Sequence, residues 1–401
     1  MDHLVSIFLV LAAGLPVVFL LAKSRWLLWP VLLAFLSRIA TAILHRYIVP
    51  LPQGSADALA FDRVAVDWAT QYGCTGFFEH YNSSASYVYS SIIATIYACV
   101  DYVPFSVQVI NVLMGIYGVI FLALATKEVW GEHYAKRVGV ILALFPFLVI
   151  FSSVGLRETF IFLGFSSGIY FLVLFHGDRG GRFLALSILM FQFSALFHGA
   201  MALATSALFL GLSLKPLLRP NKTKQQFGFA LIAFLTMMAL VVLGAIYAYT
   251  NLSLHKLGSL EQLDVDQIAD IAASRSRGSA AYLSGFQINS FTDFVIQSPI
   301  RLLYFLFSPF PWNISHPLHV MGFFDGVFYI FIFYWCFKYR RKVFEHPATL
   351  QVLIIVLVLA FAFSFGTSNF GTATRHRAKF ALAVLVIVAP CFYSSFRKRA
   401  N

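Results

Sequence analysis

Apolar runs near the ~20 residues that a helix needs to cross a bilayer recur from one end of this 401-residue chain to the other. Backbone groups inside lipid have no water to bond, so such runs are predicted to be helices that satisfy their own N–H and C=O groups. The length leaves room for two or three soluble domains, but 60% hydrophobic and only 11% charged residues argue against them. The 44 phenylalanines and 18 tyrosines also exceed what one soluble core uses. The predicted fold class is an all-α, polytopic integral membrane protein.

A formal charge of +12 raises the question of an anionic partner, and the placement of the charges answers it. Eighteen of the 29 lysines and arginines fall in short loops at 23–25, 127–137, 179–182, 215–224, 338–342 and 397–399. With their neighbouring acids these loops carry +14, and the rest of the chain carries −2. This is the positive-inside bias of membrane insertion, and it removes the case for nucleic acid.

Placing every basic loop inside predicts about eleven spans, with the N-terminus outside and the C-terminus cytoplasmic. They fall near 4–22, 26–46, 105–126, 138–155, 159–175, 183–197, 199–214, 227–249, 317–336, 349–365 and 380–395. The 183–214 stretch also reads as one long broken helix. Two further apolar pieces, 84–100 and 300–311, must not cross, because either would put the next basic loops outside. Their tyrosines, and Trp312 just beyond, suit an interfacial or re-entrant position. The first span is preceded by an acid and followed by basic residues, the reverse of a cleavable signal, so it is expected to be retained.

The expected organisation is a single membrane domain, 1–401, with two large outward loops, 47–104 and 250–316, and shorter outward turns at 156–158, His198 and 366–379. Inward connections are all short, which points to work on the outer face. No inverted repeat relates the two halves, against the pattern of many transporters. Cys74 and Cys99 share the outward side, where a disulfide and two free thiols are both open readings.

The outward segments carry the candidate chemistry. Helical spacing follows Ser55, a capping residue, and places Asp57 in the first turn with no basic residue three or four positions away. A carboxylate so placed near the membrane is a candidate general base or metal ligand. Asp67, four residues after Arg63, reads as half of a surface ion pair. Arg157 and Glu158 lie between two apolar helices with little room for a hydrated loop. The planar fork of Arg157 suits a lipid pyrophosphate, with snorkelling to headgroups the plainer reading. His198, at an outer turn, has the same two-sided status as catalyst or satisfied hydrogen-bonding group.

Arg275 and Arg277 form a phosphate or sugar clamp or a soluble turn. Arg375, His376, Arg377 and Lys379 stand before the last span, on the side where the charge rule does not favour them, and so suggest anion binding. Arg38, buried in the second span, either completes that site or pairs with a carboxylate. No cofactor is implied, and a divalent cation such as Mg or Mn stays open.

The order of these features resembles a known group. An Asp-bearing outer loop precedes a tyrosine-containing interfacial helix and a span ending in Trp130-Gly131. Leu144-Phe145-Pro146, Phe151-Ser152 and Leu156-Arg157-Glu158 follow. This is similar to the bacterial polyprenyl-linked sugar enzymes of GT-C architecture and to the Wzy-type polysaccharide polymerases. The similarity covers about residues 50–175, with the Phe310-Pro311-Trp312 and Arg375-His376-Arg377 segments fitting the polymerases further along. Arg157 and Gly168, ten residues intervening, match a loose arginine–glycine spacing of some of their loops.

The resemblance implies a GT-C-like fold and an enzyme of the bacterial inner membrane that joins polyprenyl-pyrophosphate-linked oligosaccharide units. Its alternatives are transfer of a single sugar from a polyprenyl phosphate, and a polysaccharide transporter or flippase. Asp57, or failing that Asp62, matches the proposed base, with His376 a further candidate. Arg157, Glu158, Arg275, Arg277, Arg375, Arg377, Lys379 and His198 would hold pyrophosphate and glycan. The implied partners are a lipid-linked donor and acceptor, membrane lipids and a chain-length regulator. The paired Asp-Glu of the protein-mannosyltransferase branch is absent.

Overall fold

The computed structural model describes residues 2–51, 56–76, 87–217, 280–283 and 291–393. Among them the chain is helical, with one isolated antiparallel bridge between Ala281 and Asn369. Six helices are long and apolar enough to cross a membrane, and a bent pair supplies a seventh. The chain is therefore membrane-embedded, and its surface agrees: Leu4, Phe8, Leu11, Leu15 and Phe19 of the first helix all stand exposed along one side. The predicted span 227–249, Ser55, Arg275 and Arg277 lie outside the described residues.

The chain divides into two units, Met1–Gly199 and Ala200–Asn401. The first holds α1 (Asp2–Lys23), α2 (Leu28–Ile43), α3 (Ala56–Tyr72), α4 (Val88–Cys99), α5 (Pro104–Trp130), α6 (Glu132–Leu144), α7 (Pro146–Ser153), α8 (Glu158–His176) and α9 (Arg182–Phe197). Helix α5 is its central post, packed against α1, α2, α6, α7 and α8. With no hydrophobic drive between helices in lipid, close approach and polar contacts hold them together. Phe162 of α8 lies so near Gly118 of α5 that no Cβ would fit there. Ser187 and Ser194 of α9 donate to the carbonyls of Gly168 (2.9 Å) and Ile161 (3.0 Å) on α8. The unpaired N–H groups at the start of α5 are capped from another helix: Asp2 accepts from the Phe105 N–H (2.9 Å) and the Ser106 N–H (2.8 Å).

The predicted span 138–155 is broken. Pro146 has no N–H for the Leu142 carbonyl, and Phe145 is extended, so α6 and α7 meet at a bend of 58°. Arg38 of α2 fills the gap, donating to Ala143 O at 2.9 Å and Leu142 O at 3.3 Å, while Ser37 Oγ adds a bond to Ala143 O at 3.0 Å. Its buried charge sits at the partly negative end of α6. The partners of Arg38 are thus carbonyls, where the sequence suggested a carboxylate or the substrate site.

The second unit holds α10 (Leu203–Leu217), α11 (Phe291–Phe307), α12 (Pro317–Lys338), α13 (Pro347–Phe365) and α14 (Phe370–Phe380). Gln351 of α13 donates to Leu208 O of α10 at 2.7 Å, over Gly211, where a Cβ would strike the amide. The expected outward turn 366–379 is mostly helix α14, with His376, Arg377 and Lys379 buried. The expected last span follows it as short alternating pieces, Ala381–Ala383, Val384–Val388 and Ala389–Phe392. The apolar piece expected at 300–311 is the end of α11 and the turn after it.

His346 caps α13, its Nδ1 accepting the Ala348 N–H at 3.2 Å. Partial burial holds its pKa below the ordinary 6.5. The folded chain then binds fewer protons than the unfolded one, so this contribution is fully present above the unfolded value and is lost as pH falls through the folded value. The thermal midpoint in detergent is expected to fall between about pH 7 and pH 5, and to fall less in His346→Asn, a cap that does not titrate in that window. Equal falls in both proteins would count against this role.

Candidate functional site

In the first unit α3 and α4 meet the turn before α8 and its first residues. Helix α3 lies against α4, and a Cys74–Cys99 disulfide, with Cα atoms 4.9 Å apart, ties their ends together. That resolves the two open readings of these cysteines; Cys336 and Cys391 are buried thiols outside the disulfide. Phe61 of α3 is buried, edge-on to Tyr89 of α4 at 5.5 Å, and its carbonyl accepts the Ser90 hydroxyl at 3.0 Å.

The Arg157 guanidinium lies 5.5 Å from the centre of the Phe61 ring. Stacking on an aromatic face fixes the plane of a guanidinium while leaving its edge to donate. Arg157 also opens α8, its carbonyl accepting the N–H groups of Phe160 (3.1 Å) and Ile161 (3.3 Å). Glu158, the next residue, is buried. Asp57 is exposed one helical turn before Phe61, so the two share a face of α3. The exposed Asp57 and the ring that carries the Arg157 guanidinium thus lie one turn apart on α3.

Asp62 faces elsewhere. Its two oxygens accept the phenols of Tyr97 (2.6 Å) and Tyr102 (3.1 Å). Burial first, and then the Asp62 carboxylate, pushes both phenols above their ordinary range, which keeps them protonated as donors. Asp62 is a structural acceptor that docks α3 on α4 and the chain after it. His198 ends α9 in an extended conformation, its N–H bonded to Ala195 O at 3.1 Å.

In the second unit, α14 carries the cationic run. Arg377 is fully buried and committed: it donates to Phe305 O (3.0 Å) and Ser308 O (2.9 Å) and pairs with Asp325 of α12 at 2.7 Å. Its expected role as a pyrophosphate ligand does not fit these partners. Lys379 Nζ lies 2.9 Å from His376 Nδ1, and the imidazole lies 4.6 Å from the Phe363 ring. Arg375, half-buried, is one turn before Lys379 on the same face. Arg301 of α11 is buried and donates to Gln297 Oε1.

Residues 280–283 approach the start of α14, with Tyr282 N–H bonded to Ser368 O and its hydroxyl to Thr367 O, both at 3.0 Å. Among the described residues no group of three or more His, Cys, Asp or Glu side chains comes together as metal ligands.

Sequence reasoning passed over Asn111, Phe61 and Arg301. A lone asparagine or arginine in an apolar run is a legible signal, because an unneeded polar group there is costly. Phe61 carries no such mark among 44 phenylalanines. Comparisons with protein-family models, with curated proteins and with solved structures found no match to this chain.

Proposed function

We propose that this protein is a membrane glycosyltransferase of the polymerase type, joining polyprenyl-pyrophosphate-linked oligosaccharide units on the outer face of a bacterial inner membrane. The observation that carries the reading is the Arg157 guanidinium held on the Phe61 ring at the start of an apolar helix, with the exposed Asp57 one turn earlier on α3. An acceptor sugar hydroxyl attacks the anomeric carbon of the donor glycan, the bond to the pyrophosphate oxygen breaks, and the proton passes to the Asp57 carboxylate. Arg157 stabilises the charge that grows on the leaving pyrophosphate, a role for which preorganised donors in a water-poor site are effective. Lys379 and Arg375 are offered as anion ligands of the second unit.

Further observations support the setting. A disulfide between Cys74 and Cys99 fits an oxidising compartment, which supports the outward placement of 47–104; the N-terminus outside and the C-terminus inside follow from the charge rule as part of the same proposal. The eleven-span GT-C-like architecture extends the six or seven long apolar helices by counting the shorter helices and the span outside the described residues. Transport is the weaker reading, because Arg38 of α2 and Asp325 of α12, ionisable groups within apolar helices, are both engaged by local partners. Transfer of a single sugar uses the same base and differs in its product.

A gel of surface polysaccharide from cells lacking the protein tests the reading. A single-repeat band in place of a ladder is the expected result. A ladder of unchanged lengths that lacks one side-branch sugar would shift the function to single transfer, and an unchanged polysaccharide would remove both.

A further inference from the structure

We infer that Asn111 and Tyr89 form a polar bridge that positions the Arg157 turn against the helix pair α3–α4, which makes them positioning residues for the proposed transfer. The inference rests on the reading of Arg157 as the ligand of the donor pyrophosphate. Asn111 is fully buried on α5, where an apolar side chain would meet no desolvation cost. Its amide nitrogen donates to Val154 O (2.5 Å) and Leu156 O (2.8 Å), and its amide oxygen accepts the Tyr89 hydroxyl (3.2 Å). Those two carbonyls flank Gly155, where the chain has left α7 with Val154 extended and has not yet begun α8. The side chain therefore adds a donor to each of two carbonyls of this irregular backbone inside the membrane domain, beside the 2.8 Å bond from Leu156 N–H to Val154 O.

Tyr89 closes the circuit. Besides its bond to Asn111 it lies edge-on to Phe61 (5.5 Å) and to Phe160 (5.7 Å), and Phe61 in turn carries the Arg157 guanidinium. The contacts run from Asn111 through Tyr89 and Phe61 to Arg157, and back along the backbone from Leu156 to Asn111. An asparagine is required at this point: an aspartate of the same shape would face two carbonyl oxygens with an acceptor. Glutamine would place its amide one methylene too far.

The test uses the full chain in lipid nanodiscs, with undecaprenyl pyrophosphate as the probe. Arg157→Ala, Asn111→Ala, Tyr89→Phe and the Asn111→Ala/Arg157→Ala double variant are compared for affinity. Hydrogen exchange is followed at the amides of 154–158. Arg157→Ala and Asn111→Ala are each expected to weaken binding by about tenfold, with the double variant no weaker than Arg157→Ala, because residues acting as a unit are not additive.

Exchange at 154–158 should speed up in Asn111→Ala while protection elsewhere is kept, an effect that general destabilisation would spread over the whole chain. Tyr89→Phe, which keeps the ring contacts, should show a smaller version of both effects and decides the matter if Asn111→Ala does not fold. Additive losses in the double variant, or unchanged binding in Asn111→Ala, would overturn the inference and leave the function standing. If Arg157→Ala itself binds normally, the proposed donor site fails. The positioning is then upheld by faster local exchange and overturned by unchanged exchange.

Discussion

Replacing Arg157 with alanine is expected to abolish ladder formation in cells, with polymerisation slowed by about 10²- to 10³-fold, the cost of removing a preorganised donor from developing negative charge. The residue is half-buried and stacked on Phe61, so its loss opens no cavity in the core and membrane levels should hold. Lysine at the same position keeps the charge but not the plane, and neither stacks nor grips two oxygens at once. Arg157→Lys should therefore recover only part of the activity. Phe61→Leu, which removes the stacking surface while keeping an apolar side chain, should fall between the two. A normal ladder in Arg157→Ala at equal membrane levels would detach the chemistry from this turn.

Asp325→Ala should give the largest loss of stability. The substitution leaves the Arg377 guanidinium fully buried without its counter-ion, and breaking such a pair from one side costs about 3–5 kcal/mol. That is a large share of the net stability of a typical domain, about 5–15 kcal/mol. The variant is expected to lose most of its monodisperse yield in detergent. Asp325→Ala/Arg377→Met should recover part of it, though not all, because the carbonyls of Phe305 and Ser308 lose their donor. The single variant Arg377→Met separates two roles for Arg377. A pyrophosphate ligand would show lost activity at full stability in Arg377→Met, whereas the ion pair predicts lost stability first.

Helices α1, α2, α5, α8, α12 and α13 were legible as long apolar runs, because the lipid solvent demands length and low polarity of any crossing segment. The break at Phe145-Pro146 carried its signal in the proline, yet the span was expected to be continuous. The compensation comes from Arg38, more than a hundred residues earlier, and no local pattern records it. The burial of Arg377, His376 and Lys379 within the cationic run is unreadable for a related reason. On sequence alone its charges ask for water, and only the packed positions of Asp325, Phe363 and the end of α11 show that these side chains are accommodated inside.

Asp57 and Arg157 each stand out in the sequence by a charge beside apolar segments, with nothing to link them. The contact of Arg157 with Phe61, one turn after Asp57 on α3, goes with the packing of α3 on α4, which the Cys74–Cys99 bond and the Asp62–tyrosine contacts secure. Asp62 is the second carboxylate that the resemblance offers as base, five residues after Asp57 on the same helix. A rotation of about 100° per residue along α3 turned it towards tyrosines instead.

The central claim is that the protein itself joins lipid-linked glycans and releases the polyprenyl pyrophosphate. The direct measurement is to reconstitute the full chain in proteoliposomes with purified undecaprenyl-pyrophosphate-linked repeat units, and to follow product length and free undecaprenyl pyrophosphate together. The account predicts a ladder of lengths, one pyrophosphate lipid released for each repeat joined, and loss of both in Asp57→Asn and Arg157→Ala. Repeat units that stay unjoined beside active wild-type protein, or that only change leaflet, would contradict it.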